Sequence, residues 1–395
     1  MKTVTKHMIL LASIFALFAV LGGLYWADGV LASGWDGIKP IQCKYSTSLS
    51  RTHTSFLGLD PYFKKLEDVS GGKLKVREYV GGVLFQEKGA LEGLKGGGCD
   101  ALHLTITYHP SALPYITLIT DCRLNFSNPA ATSGATSELL TLYGDLFEED
   151  FKRNNMLALG AYSTGPYWLI ASKPVSTLAD MRGLKVRTSG IHNEYVKALG
   201  GIPVGVTLEE SFEALMRRTI DGSLGSVDFL RSYSYWDMCK YVSKIDAGVY
   251  NGGAEFALNK DWFDSLPKIA KRAIIEYYPI VAAGITVAGY TNQERNTAKV
   301  AVEKHGVKFL EPTSDLKAAI NDYIRKQTDE VIDKAVKDKG INREKAEKIV
   351  KTYLTLYKKW LKLVEDETVQ NDPKLFEQVL RNEIYDPWLV KLGLK

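Results

Sequence analysis

Two hydrophobic periods exchange repeatedly along residues 41–107, and this constrains the fold more than any other feature. Residues 41–46, 74–79 and 101–107 read as strands, the second with clean apolar–polar alternation. Between the first two, Phe56, Leu59, Tyr62, Phe63 and Leu66 recur at helical spacing. Leu91 and Leu94 belong to a helix before the third strand. Ser70-Gly71-Gly72 stops the first helix and Gly96-Gly97-Gly98 the second. Strand–helix–strand–helix–strand order predicts a parallel sheet covered by helices. Ligands bind such sheets beyond the carboxyl ends of the strands. That directs attention to the loops 46–53, 82–86 and 107–110.

A second unit of the same style follows. Residues 157–162, 168–171, 184–188 and 203–206 read as strands, with a helix over 193–199. Thr207 and Glu210 have the spacing of a capping box that opens a helix carrying Phe212, Leu215 and Met216. Residues 223–227 and 254–259 are further extended pieces. The last third is helical, with Ile349, Tyr353, Leu356, Trp360 and Val364 on one face of a long helix. The 395 residues suffice for two such α/β domains. Fifty basic residues against 46 acidic ones offer no electrostatic case for nucleic acid.

The N-terminus resembles an export signal. Lys2 and Lys6 precede an apolar run over 8–26, and Val30-Leu31-Ala32 supplies small residues for cleavage before Ser33. A retained membrane anchor is the competing reading. The later apolar run, 279–290, is too short for a span and opens with proline. The mature chain is therefore expected outside the cytoplasmic membrane. Four cysteines follow the signal: Cys43, Cys99, Cys122 and Cys239. Their spacing fits no zinc site. Export permits disulfides, and Cys43–Cys99 is the favoured pair because both begin neighbouring parallel strands. Cys122–Cys239 and buried free thiols stay open.

A search for catalytic patterns finds neither GxxxxGK nor GxSxG. Ser314-Asp315-Leu316-Lys317 matches SxxK without its partner motifs and reads as a helix start capped by the serine. The six histidines never pair at i, i+4. His109 is the most interesting, because it follows a strand at a candidate ligand loop. Neither a metal nor a cofactor is expected.

One segment carries a recognisable pattern. Thr177-Leu178-Ala179-Asp180-Met181-Arg182-Gly183-Leu184-Lys185-Val186-Arg187 resembles the "T-L-A-D-L-K-G-L-K-I-R" stretch of DctP-type solute-binding proteins. These are the periplasmic receptors of TRAP (tripartite ATP-independent periplasmic) transporters. The similarity continues in order. Ser70-Gly71-Gly72-Lys73-Leu74-Lys75-Val76, Leu91-Glu92-Gly93-Leu94, Leu199-Gly200-Gly201-Ile202-Pro203-Val204, Ile220-Asp221-Gly222 and Trp262-Phe263-Asp264-Ser265-Leu266-Pro267 all resemble family motifs.

The resemblance implies a type II periplasmic-binding-protein-like clamshell of two α/β domains, with a long C-terminal helix across both. The expected division is a signal peptide over 1–32 and domain I over 33–157 plus 246–300. Domain II takes 158–245 plus 301–395, including the spanning helical tail. The implied activity is not catalytic. A monomeric receptor binds a small organic acid in the cleft and delivers it to the small and large subunits of a membrane permease. A binding protein of another transporter or of a signalling receptor is the runner-up, and an exported enzyme a more distant one.

The family's carboxylate-clamping arginine corresponds to Arg187. Residue type alone favours a surface arginine paired with a nearby carboxylate; the motif reverses that reading. A guanidinium is permanently charged and can bind a carboxylate through two parallel hydrogen bonds. The chain also departs from the pattern. Gly165-Pro166-Tyr167-Trp168 lacks the arginine common there, and Gly225 stands near an expected asparagine. Fewer polar contacts, with Tyr167, Trp168, Phe229, Tyr233, Tyr235 and Trp236 nearby, suggest a monocarboxylate with an apolar or aromatic body. The full candidate site is Arg187, Tyr167, Trp168, Tyr108, His109, Gly225, Tyr233 and Trp236.

Overall fold

The computed structural model describes residues 34–122, 124, 126–251 and 253–395. The expected signal peptide lies outside the described residues. Along the chain the strands are β1 (Ile41–Ser46), β2 (Leu74–Tyr79), β3 (Ala101–Thr105), β4 (Met156–Ala158), β5 (Trp168–Ala171), β6 (Lys185–Arg187), β7 (Ile202–Val204), β8 (Gly222–Gly225), β9 (Tyr241–Ser243), β10 (Gly253–Asn259) and β11 (Lys308–Leu310).

They form two sheets. The first has the order β2-β1-β3-β10-β4 and the second β11-β9-β5-β8-β6-β7. Within the first, β1 is parallel to β2 and β3, as the alternating pattern requires. The late strand β10 enters antiparallel between β3 and β4. Each sheet carries its own hydrophobic core. The helix Phe56–Val69 contributes Leu59, Tyr62 and Leu66 to the first core, at the predicted spacing.

The two halves are joined by crossing segments that run side by side. Pro166 bridges Val249, Thr164 N–H donates to Tyr250 O, and Tyr167 N–H donates to Gly248 O. A third crossing is the helix Ser314–Lys339. Its Leu316 and Ile320 sit in the second core, and its Val331 and Ala335 in the first. Thr313, rather than Ser314, occupies the N-cap position.

The tail beyond that helix departs from the expected division. Ile349, Tyr353 and Trp360, on the helix Arg343–Leu363, are buried in the first core rather than the second. The reason is a close fit against the helix Pro129–Thr141. A Cβ on Gly134 would fall 2.2 Å from the Trp360 ring, so only glycine lets the indole lie there. Trp360 Nε1–H then donates to Glu138 at 2.7 Å, and Tyr353 Oη shares a 2.7 Å bond with Thr136.

The apolar run 279–290 belongs to the helical stretch Lys268–His305, which is long and apolar enough to cross a membrane. Most of it is buried in the protein interior instead. The favoured Cys43–Cys99 pair is not formed, and all four cysteines are buried. Burial pushes every one of these thiols up, Cys99 to about 12. Thiol oxidation proceeds through the thiolate, which burial disfavours here.

Candidate functional site

The site grows from the end of β6. Leu184 and Val186 point into the second core, fully buried. Alternation along the strand then turns Arg187 to the other face, where it meets the first domain. Arg187 pairs in register with Val204 of β7 and Ser223 of β8, so the guanidinium stem is fixed from both sides. The side chain is only 2% exposed. Its Nε–H donates to Val206 O at 3.1 Å, and an Nη2–H donates to Tyr108 Oη at 2.5 Å. Tyr108 comes from the opposite domain, in the short helical turn after β3. Burial raises its phenol further above the usual range than Arg187 can lower it, so Tyr108 stays neutral. Both of these partners are uncharged, and among the described residues no carboxylate forms an ion pair with Arg187.

Around this contact lies a small interdomain cavity of about 30 Å³. Its walls are mostly aromatic. Tyr162 stacks on Tyr290, and Tyr167 on Tyr250. Phe229 stands edge-on to both Tyr167 and Tyr233. Of the candidates from sequence, the structure brings Arg187, Tyr108, Tyr167 and Tyr233 together here.

Trp168, His109, Gly225 and Trp236 are not among the lining residues. Trp168 packs edge-on to Phe309 and lines a separate pocket with Glu294 and Arg295. Trp236 stacks on His305 with ring centroids 4.0 Å apart. His109 follows Tyr108 in the chain but leaves the wall to it. Gly225 acts indirectly. A Cβ there would fall 2.2 Å from the Phe229 ring, so the glycine makes room for a ring that does line the cavity.

Other lining residues escaped the sequence reading: His53, His103, Thr105, Glu209, Tyr162, Tyr250 and Tyr290. Four had a usable signal: His53 ends a flagged loop, His103 and Thr105 lie in the third predicted strand, and Tyr162 ends the predicted strand 157–162. Glu209 lies within the capping box, which forms as expected: Thr207 N–H donates to Glu210 Oε2 at 2.8 Å. Tyr250 and Tyr290 come from a crossing segment and a core helix and had no local signal.

The first domain also brings a buried ionic pair to the cavity. His103 Nδ1 lies 2.9 Å from Glu255 Oε2, with His103 3% and Glu255 0% exposed. Tyr45 Oη and Ser55 Oγ donate to the same carboxylate. Burial alone would lower His103, but the charge and hydrogen bond of Glu255 win and hold it at about 9. His53 lacks such a bond, and burial drives it down to about 4. Polar contacts also cross the cleft near the cavity. Ser48 Oγ lies between Glu87 at 2.8 Å and Glu209 at 3.0 Å, Thr54 Oγ1 donates to Asp228 at 2.6 Å, and Arg231 donates to Thr54 at 2.7 Å.

Two α/β halves, crossing segments and a shut cleft around a buried cation make a two-lobed clamshell. Comparison with known proteins gives the family. The profile of bacterial extracellular solute-binding proteins, family 7 (DctP), matches residues 45–335, and the chain belongs to this family. A solute-binding protein of Verminephrobacter eiseniae is 26% identical over 228 residues, 56% of this chain and 65% of that protein. The 2,3-diketo-L-gulonate-binding periplasmic protein YiaO of Escherichia coli is 22% identical, over 62% of this chain and 74% of that one. The crystal structure of a marine-metagenome TRAP solute-binding protein, bound to 3-hydroxybenzoate, superposes with a TM-score of 0.71 at 20% identity. That match covers 82% of this chain and 99% of the marine protein. The relatives are solute-binding proteins, not enzymes.

Proposed function

We propose that this protein is the extracytoplasmic receptor of a TRAP transporter. It closes on a small organic acid, holds the carboxylate on Arg187, and hands the acid unchanged to the membrane permease. The observation that carries this reading is the Arg187 guanidinium, buried between the domains with only neutral partners. A buried charge with no carboxylate in contact is costly, and a ligand carboxylate replacing Tyr108 Oη offsets that cost. One such cation supports a monocarboxylate, and the tyrosine-rich wall suits an apolar or aromatic body. The ligands of two of these relatives, 2,3-diketo-L-gulonate and 3-hydroxybenzoate, are acids and support the class. The expected export signal supports release to the periplasm, where such a receptor works.

The test is a thermal-shift screen of keto, hydroxy, aromatic and dicarboxylic acids, since binding the folded state raises its melting temperature. Calorimetry with the recovered acid then compares wild type with Arg187→Ala. Removing one member of a buried charge pair costs about 2–5 kcal/mol, or roughly 30-fold to several-thousand-fold in affinity. Equal binding by Arg187→Ala overturns the clamp, and a chemically altered ligand overturns the receptor reading.

A further inference from the structure

The wall opposite Arg187 contains more polar chemistry than a carboxylate uses. Glu255 is held from three sides: Tyr45 serves Oε1, while Ser55 and His103 serve Oε2. His103 Nδ1 therefore carries a proton toward Glu255. The second ring nitrogen, Nε2, lies 3.1 Å from Thr105 Oγ1. In the imidazolium, which Glu255 sustains up to about pH 9, Nε2 is also a donor. Thr105 Oγ1 must then accept from it, and its own hydrogen is left to point elsewhere. Thr105 lines the cavity, and its backbone N–H is already given to Glu87. The Tyr233 hydroxyl, on the same cavity, is buried without a hydrogen-bond partner among the described residues.

We propose that Thr105, oriented by the His103–Glu255 pair, donates a hydrogen bond to a second oxygen on the bound acid, so that the receptor selects hydroxy or oxo acids over their plain hydrocarbon counterparts. This rests on the reading of Arg187 as the carboxylate anchor. Thr105 is the specificity residue, and His103 positions its hydrogen. A site that leaves a donor unsatisfied discriminates against the analogue lacking the matching oxygen.

The experiment uses matched probes: lactate with propionate, mandelate with phenylacetate, and 3-hydroxybenzoate with benzoate. Calorimetry gives the affinity ratio within each pair for wild type, Thr105→Val, Thr105→Ser and His103→Gln, each checked for folding by circular dichroism. Wild type is expected to favour the oxygenated member by roughly tenfold to a hundredfold. The ratio falls close to one in Thr105→Val and is retained in Thr105→Ser, which keeps the hydroxyl. A pH profile tests the positioning role. As pH rises through about 9, His103 Nε2 becomes an acceptor and recaptures the Thr105 hydrogen, so the wild-type ratio drops. Glu255, Glu87, Glu209 and His53 are the other titratable groups acting on His103. In His103→Gln that drop is absent. A wild-type ratio near one, or an undiminished ratio in Thr105→Val, overturns the inference while leaving the Arg187 anchor standing. If no probe binds in an Arg187-dependent way, the Arg187 anchor falls and this inference with it.

Discussion

Arg187 and His103 are both buried cations, and their surroundings give them different tasks. Arg187 has neutral partners and is available to an anion. His103 already has its counter-charge and acts through hydrogen bonding and through stability. Its sign is readily worked out. Folding raises the His103 pKa from 6.5 to about 9, so the folded state binds the proton more tightly. The stabilisation is complete below about pH 6.5 and is lost as pH rises through about 9. Glu255 is lowered, so its share is present at neutral pH and is lost in acid. His103→Gln leaves Glu255 buried without a counter-charge, and breaking such a pair costs about 3–5 kcal/mol. Calorimetric unfolding at a series of pH values should show wild type losing stability between pH 6.5 and about 9 more steeply than His103→Gln. Parallel curves would remove His103 as the source of that slope.

Strand ends and helix starts converge on the cleft, and each element is shaped to deliver one group. The capping box at Thr207 sets the start of the helix Leu208–Met216 and with it the place of Glu209. The glycine ending β8 has a different task. Gly225 lies against the Phe229 ring, and Phe229 in turn braces Tyr167 and Tyr233. Gly225→Ala inserts a methyl group at a 2.2 Å separation, so the ring must shift. Overpacking of this kind costs about 1–3 kcal/mol. Urea titration should show a lowered midpoint at unchanged slope. Calorimetry should show weakened binding of the acid, because the displaced ring belongs to the cavity wall. Unchanged stability and affinity would mean that the wall absorbs the methyl group, and that Gly225 does not shape the site.

At the scale of the whole molecule, the cleft is shut. Arg187 is 2% exposed and the cavity of about 30 Å³ lies well below the roughly 300 Å³ at the lower end of small-molecule sites. On the proposed function, an acid reaches Arg187 only when the two halves part, and the cleft must re-form around it. The contacts across it include Tyr108 with Arg187, Ser48 with Glu209, Thr54 with Asp228 and Arg231, and the His53 ring edge-on to Tyr233. A ligand that bridges the same walls shifts an open–closed equilibrium toward the closed form. Small-angle scattering should give a smaller radius of gyration with the recovered acid than without it. An unchanged radius alongside proven tight binding would count against closure by domain movement.

Much of this was legible along the chain. The strand spans 41–46, 74–79 and 168–171 follow from local periodicity and glycine stops, and the structure reproduces them residue for residue. The placement of Arg187 at the end of an apolar strand was equally local, as were the capping box and Tyr108 at the end of the third strand. Membership of the cavity was not. Arg187 meets Tyr108 across 79 residues, and His103 meets Glu255 across 152. Trp168 and Trp236 are aromatic residues in the right region, yet Phe309 and His305 take their faces. The C-terminal helices join the first domain because Gly134 admits Trp360, a fit between residues more than two hundred positions apart. Short-range sterics and hydrophobic period select the elements. Which faces meet depends on long-range packing that no single segment encodes, and the tertiary structure alone decided which side chains surround the buried arginine.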